Sequence, residues 1–185
     1  MRSWLAAVAL LGLAAAPAFA EPAAPTVSGS PQGVSGTAPV FLTIPRIGTA
    51  ATVVPLGLLE DGTLDAPADP DTIGWYALGS GVGAPGNAIL DGHVDWGGRL
   101  RVFGRLRELR PGDAVLVTDA DGQSFEYRVS WTRLVDAAAA PLDEIYGQGE
   151  QEELTLITCG GAFDAAERMY VDRLVVRAVR AADAD

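Results

Sequence analysis

The chain carries one cysteine, Cys159, and one histidine, His93, in 185 residues. Brought together, those two side chains suit one chemistry above others. A neighbouring imidazolium stabilises a thiolate nucleophile and can afterwards hand its proton to a leaving amine. Cys159 closes the run Leu154-Thr155-Leu156-Ile157-Thr158-Cys159, ahead of Gly160 and Gly161. Apolar and β-branched residues predict a buried strand there, with the thiol at its end and two glycines that let another backbone come close. His93 has a matching place. It follows the short apolar strand Ala88–Leu90 and lies in a loop between Asp91 and Asp95. A cation could complete the set by stabilising the oxyanion of a tetrahedral intermediate. Arg173 opens the next predicted strand, and antiparallel pairing of that strand with the cysteine strand would bring its guanidinium to Cys159.

Plainer readings stand beside these. A free cysteine is often a small buried hydrophobe, a lone histidine is often a surface residue, and an edge arginine is often only solvated. A single cysteine forms no internal disulfide. One cysteine and one histidine also fall short of the three or four N/S ligands of an ordinary zinc site, so neither metal nor cofactor is expected. The net charge of −11 disfavours nucleic acid and anionic membrane surfaces, which would repel the chain. All thirteen basic residues are arginine. No lysine amine is therefore available as a nucleophile.

The elements that must position these residues are short. Twenty-two glycines and twelve prolines point to many turns. Residues 1–20 have the parts of an export signal: Arg2, an apolar run from Trp4 to Ala16, and Ala18-Phe19-Ala20 before Glu21. The run is shorter than the ~20 residues that span a bilayer, so cleavage is favoured over a retained anchor. Either outcome places the rest outside the cytoplasmic membrane. Any membrane attachment would run through this segment alone. Residues 21–40, rich in Pro, Ala, Ser and Gly, read as a flexible linker.

The globular part is expected over 41–180, with 181–185 as a tail. Strands are predicted at Phe41–Ile47 and Ala51–Leu59, with Pro45 and Pro55 suggesting edge positions. Asp61-Gly62 reads as a turn, Asp71–Tyr76 as a short capped helix, and Val102–Leu109 as a helical turn. Ala114–Thr118 and Ser124–Val135 form a hairpin around Asp121-Gly122, and Pro141–Tyr146 is a single helical turn. Leu154–Cys159 and Leu174–Val179 are the last strands, flanking a loop from Gly160 to Asp172. About eight short strands with brief helices imply an all-β fold, a closed or nearly closed β-barrel.

At these residues the sequence resembles the sortase family. The resemblance rests on Thr155-Leu156-Ile157-Thr158-Cys159, on Gly86-Asn87-Ala88-Ile89-Leu90-Asp91-Gly92-His93-Val94-Asp95, on Val102-Phe103-Gly104-Arg105-Leu106, and on an arginine at the start of the following strand. The Thr-Cys-Gly-Gly-x-Phe-Asp continuation is most similar to the actinobacterial branch called class F, with class E next. The resemblance implies a β-barrel cysteine transpeptidase that cuts a C-terminal LPxTG-like sorting signal and holds the threonine as a thioester. It then passes the acyl group to an amine of a peptidoglycan precursor or a pilin. It implies Cys159 as nucleophile, His93 as acid/base and Arg173 as the cation near the oxyanion. Thr158, Gly160 and Asp91 would be substrate-binding residues, with Thr158 beside the nucleophile. In that branch the Arg173 position is often Asn and an arginine can lie slightly earlier, which makes Arg168 the reserve candidate.

Other classes fit less well. An L,D-transpeptidase usually shows a Ser-x-Gly-Cys run, which is absent, and a papain-like hydrolase carries its cysteine on a helix. A thiol hydrolase on the same scaffold differs only in whether water or an amine resolves the thioester. A non-catalytic secreted β-barrel binding module predicts an unreactive thiol.

Overall fold

A computed structural model describes residues 35–182. The expected export signal and most of the expected linker lie outside the described residues. Eight strands close a barrel in the order β1-β2-β3-β4-β9-β10-β8-β7. They are β1 (Pro39–Ile44), β2 (Thr49–Leu56), β3 (Ile73–Tyr76), β4 (Gly86–Asp91), β7 (Ala114–Asp119), β8 (Ser124–Asp136), β9 (Glu152–Asp164) and β10 (Met169–Arg180). A two-stranded ribbon, β5 (Asp95–Trp96) with β6 (Arg99–Leu100), follows β4 outside the barrel. The one α-helix among the described residues, α1 (Leu142–Tyr146), bridges β8 and β9.

Strict alternation decides which side chains fill the interior. Leu42 and Ile44 of β1, Val115 and Val117 of β7, Tyr127 of β8, and Leu154 and Leu156 of β9 are buried in one core cluster. A second cluster forms on the outer face, where Ile89, Ile157 and Val175 lie beneath Ile145 of α1. That outer cluster gives the barrel a dry exterior wall next to the cysteine strand.

Polar groups pin α1 there. Asn87 donates to the carbonyls of Ile145 (2.8 Å) and Gly147 (3.3 Å), and accepts from the Thr155 hydroxyl at 2.7 Å. Arg177, itself buried, donates to the Glu144 carbonyl at 2.6 Å and pairs with Glu153. The last carbonyls of a helix have no partner inside it. Here strands β4 and β10 supply them.

Several expectations differ from the observed elements. Asp71–Tyr76 is not a helix. Asp71 belongs to a turn in which its N–H bonds the Asp69 carboxylate, and Ile73–Tyr76 is β3, parallel to β2. Ile73 and Trp75 both bury into the core, and that alternating burial outweighs the local capping signal. Pro55 is not on an edge strand. The β1 pairing of β2 ends at Thr52, so the proline falls where β2 has no neighbour on that side, and Pro45 begins a 3₁₀ turn. The cysteine strand also does not stop at Cys159 but runs on to Asp164 as a ribbon with β10. At the other end β1 opens at Pro39, and Thr37 already exchanges backbone hydrogen bonds with Val82, so the last residues of the expected linker belong to the barrel.

Asn87→Ala would strip two carbonyls and one hydroxyl of their buried partner. It should lower unfolding free energy by about 1–3 kcal/mol, read as a reduced denaturant midpoint at unchanged slope.

Candidate active site

Strand register places the three chemistry-bearing residues in one row. β10 pairs β9 antiparallel with Arg173 opposite Cys159, and β4 pairs β9 parallel with Asp91 opposite Ile157. His93 follows Asp91 by two residues, so it leaves β4 level with Cys159. The Gly92 N–H donates to the Ile157 carbonyl (3.1 Å) and the Thr158 hydroxyl donates to the Gly92 carbonyl (2.6 Å). Those two bonds hold the backbone immediately before His93 against the residues immediately before Cys159. Both His93 and Cys159 are half-buried.

The imidazole is fixed on its far side. Nε2 lies 2.8 Å from the Pro67 carbonyl in the β2–β3 connection. A carbonyl can only accept, so that nitrogen carries the proton and Nδ1 is the ring nitrogen able to take one up. Trp96 meets the ring edge-on, with centroids 5.1 Å apart.

Arg173 uses Nη1 to donate to the carbonyls of Tyr170 (3.2 Å) and Asp172 (3.0 Å). A guanidinium has five N–H donors, and others remain for an oxyanion. Arg168 sits differently. It is exposed in the turn between β9 and β10, with φ of 55°, away from the Cys159 row.

Of the expected substrate-binding residues, only Asp91 shares the face of Cys159. Thr158 is 1% exposed and points into the barrel, as alternation with Cys159 demands, so it braces the His93 backbone and does not line a peptide site. Gly160 is on the same side as Thr158. A Cβ there would meet Leu134 Cδ1 at 2.8 Å. Gly161, with φ of 72°, takes the left-handed conformation of a bulge, and a Cβ would collide with the Asp172 carboxylate. The glycines after the cysteine therefore serve the ribbon's bend.

Electrostatics around the thiol are opposed. Burial pushes the Cys159 thiol up; the Arg173 charge pulls it down, and Asp91 and Asp95 push it further up. Burial also raises Asp91 to about 6, against the pull of His93 and Arg173. Burial and the two carboxylates thus disfavour the thiolate, and Arg173 favours it. Among the described residues no group of three or more His, Cys, Asp or Glu side chains is placed to hold a metal ion.

Sequence reasoning missed three contacts: the Pro67 carbonyl on His93, the Trp96 edge, and a hydrogen bond from the Tyr170 hydroxyl to Asp95 (3.0 Å). The first is a backbone group and leaves no side-chain signature. The last joins residues 75 positions apart, one from β10 and one from the ribbon that follows β4.

The Sortase domain family model matches residues 42–181. Among solved structures, the chain is similar to sortase C-1 from Actinomyces oris (formerly Actinomyces naeslundii). The identity is 25% and the TM-score 0.62, covering 78% of this chain and 73% of that one. A lid mutant of sortase A from Corynebacterium diphtheriae matches at 21% identity and TM-score 0.61, covering 80% and 71%. A Clostridium perfringens sortase D5 transpeptidase matches at 19% and 0.58, covering 80% and 82%. The last two, at their lower identity, speak to fold alone. No curated protein matches the chain.

The raised Asp91 acid makes a signed prediction. Its ordinary value of 3.8 applies in the unfolded chain, so between about pH 4 and 6 the folded state binds the extra proton. Stability therefore falls as pH rises through that window, and the loss is complete above it. Asp91→Asn should be more stable than the parent at pH 7 by on the order of 3 kcal/mol and equal to it near pH 4. Denaturant melts across that range check this. The same variant should move the alkylation midpoint of Cys159 to lower pH, because it removes a negative charge beside the thiolate. Arg173→Ala should move it to higher pH.

Proposed function

Since the chain belongs to the sortase family of cysteine transpeptidases, we propose that Cys159 is its nucleophile, His93 its acid/base and Arg173 its oxyanion-side cation. The single observation that carries the assignment is the register: Cys159 lies opposite Arg173, and His93 leaves β4 at the same level. Sγ attacks the scissile carbonyl while the thiol proton passes to Nδ1 of His93. Arg173 faces the developing oxyanion. The tetrahedral intermediate then expels the amine, which takes the proton back from His93, and a thioester on Cys159 remains. An acceptor amine repeats these steps in reverse. Its N–C bond forms, the C–S bond breaks, and its proton returns through His93 to the thiolate.

The donor in this reading is a protein with a C-terminal LPxTG-like sorting signal. The acceptor is an amine of a peptidoglycan precursor or a pilin. The half-buried Val135, Ala140 and Tyr146, which pack over the outer cluster and stay partly open to solvent, suit the apolar part of such a signal. Sortases act outside the cytoplasmic membrane, and export through residues 1–20 is the matching proposal for this chain. Among the described residues no helix is long and apolar enough to cross a membrane. The continuation Thr158-Cys159-Gly160-Gly161-Ala162-Phe163-Asp164 supports placement near class F.

Cleavage of quenched LPxTG and LAxTG peptides tests the assignments. Cys159→Ala should abolish turnover without unfolding the barrel. His93→Ala and Arg173→Ala should each lose on the order of 10²-fold or more in rate. Arg168→Ala should stay within about twofold of the parent, as exposed substitutions away from the site do. A large loss at Arg168 with little at Arg173 would transfer the role to Arg168.

A further inference from the structure

The two sides of Cys159 differ in chemistry. On one side, toward the start of β9, lie Ile157, Val175 and Ile145 under α1. On the other, where β9 and β10 run on as a ribbon, lies a polar bridge: Tyr170 of β10 donates its hydroxyl to Asp95 of β5 at 3.0 Å. The bridge is held from three directions. Arg173 grips the Tyr170 carbonyl at 3.2 Å, Phe163 packs edge-on against the Tyr170 ring at 5.2 Å, and Trp96, next to Asp95, packs on His93. Asp95 lies within electrostatic reach of Cys159, as does Tyr170. Among the described residues no arginine forms an ion pair with Asp95. The Tyr170 hydroxyl thus fixes this carboxylate on the ribbon side of Cys159, with no arginine paired to it among the described residues. Burial and the Asp95 bond push the Tyr170 phenol up, which keeps it a donor.

We propose that the Tyr170–Asp95 pair is the docking point for the acyl acceptor, and that it selects a cationic primary amine by receiving the ammonium on Asp95. This rests on the transpeptidase reading of the same site. The acyl portion lies along the half-buried Val135, Ala140 and Tyr146 on the far side, so the acceptor reaches the thioester from the ribbon side. An ammonium placed on the Asp95 carboxylate is then adjacent to the thioester carbonyl. It sheds one proton to water, its nitrogen forms the new C–N bond, and the C–S bond breaks with the electron pair returning to Sγ. The second amine proton goes to neutral His93. Tyr170 acts as a positioning residue, because without its hydroxyl the Asp95 carboxylate has no anchor.

The test is the partition of the thioester between aminolysis and hydrolysis, measured on the full chain with an LPxTG peptide donor. Two acceptors are compared at pH 7: lysine amide, whose side chain is cationic, and hydroxylamine, which is largely neutral. Partition is read from product ratios, so it does not depend on how fast the thioester forms. Asp95→Asn should lower the lysine-amide ratio about tenfold or more, as loss of a charge-assisted contact predicts. It should change the hydroxylamine ratio less than about twofold. Tyr170→Phe, which keeps the ring against Phe163, should lower the lysine-amide ratio severalfold with the same selectivity. Equal loss with both acceptors would make the pair a support for the Cys–His geometry and overturn the proposal, as would unchanged ratios. If the parent forms no thioester on Cys159 with any donor, the transpeptidase reading fails first and this inference with it.

Discussion

Everything in the site depends on the register of three strands. β9 is paired parallel by β4 on one side and antiparallel by β10 on the other. Because side chains alternate with a period of two, a slip of one residue in β9 would turn Cys159 into the barrel and bring Thr158 out. The core prevents the slip. Leu154 and Leu156 are fully buried on the interior face, while Ile157 fills the outer cluster with Ile89 and Val175. The row of Cys159, Arg173 and His93 is thus a by-product of two apolar faces that must both be satisfied.

The outer wall has its own requirement. A barrel normally presents its exterior to water, yet here Ile89, Ile157 and Val175 need cover. A helix of five residues cannot hold itself there by propensity. Asn87 and Arg177 bind its terminal carbonyls from β4 and β10, the two strands that flank the cysteine strand. The elements that bring His93 and Arg173 to the thiol therefore also seat the helix beside it. Damage to that network reaches the site through shape, with no contact to the reacting atoms.

The Cys–His pair stood out in the sequence because its members are scarce, whereas Arg173, one of thirteen arginines, was singled out only by its place at the start of a strand. With one thiol and one imidazole, few alternatives compete, and strand patterns around each point to the same end of a barrel. The short-strand architecture was legible for the same reason that turns were: glycine and proline punctuate it. Thr158 was misread although the rule that corrects it is local, since the neighbour of an outward residue in a strand must point inward. The segment 71–76 was misread because an aspartate before a short run signals a cap, while tertiary burial of Ile73 and Trp75 made it a strand. The hold of the Pro67 carbonyl on His93 and the reach of Tyr170 to Asp95 were not legible, because a backbone acceptor and a pairing across 75 residues leave no periodic trace.

The central claim is that Cys159 is a reacting thiol placed between His93 and Arg173. Intact-protein mass spectrometry of the full chain, quenched in acid after brief exposure to an LPxTG peptide without an amine acceptor, tests it most directly. The account predicts an adduct with the mass of the acyl half of the peptide, localised to Cys159, cleared by hydroxylamine and absent from His93→Ala. A folded protein that carries no adduct with any sorting peptide, and whose thiol alkylates only after unfolding, would contradict it.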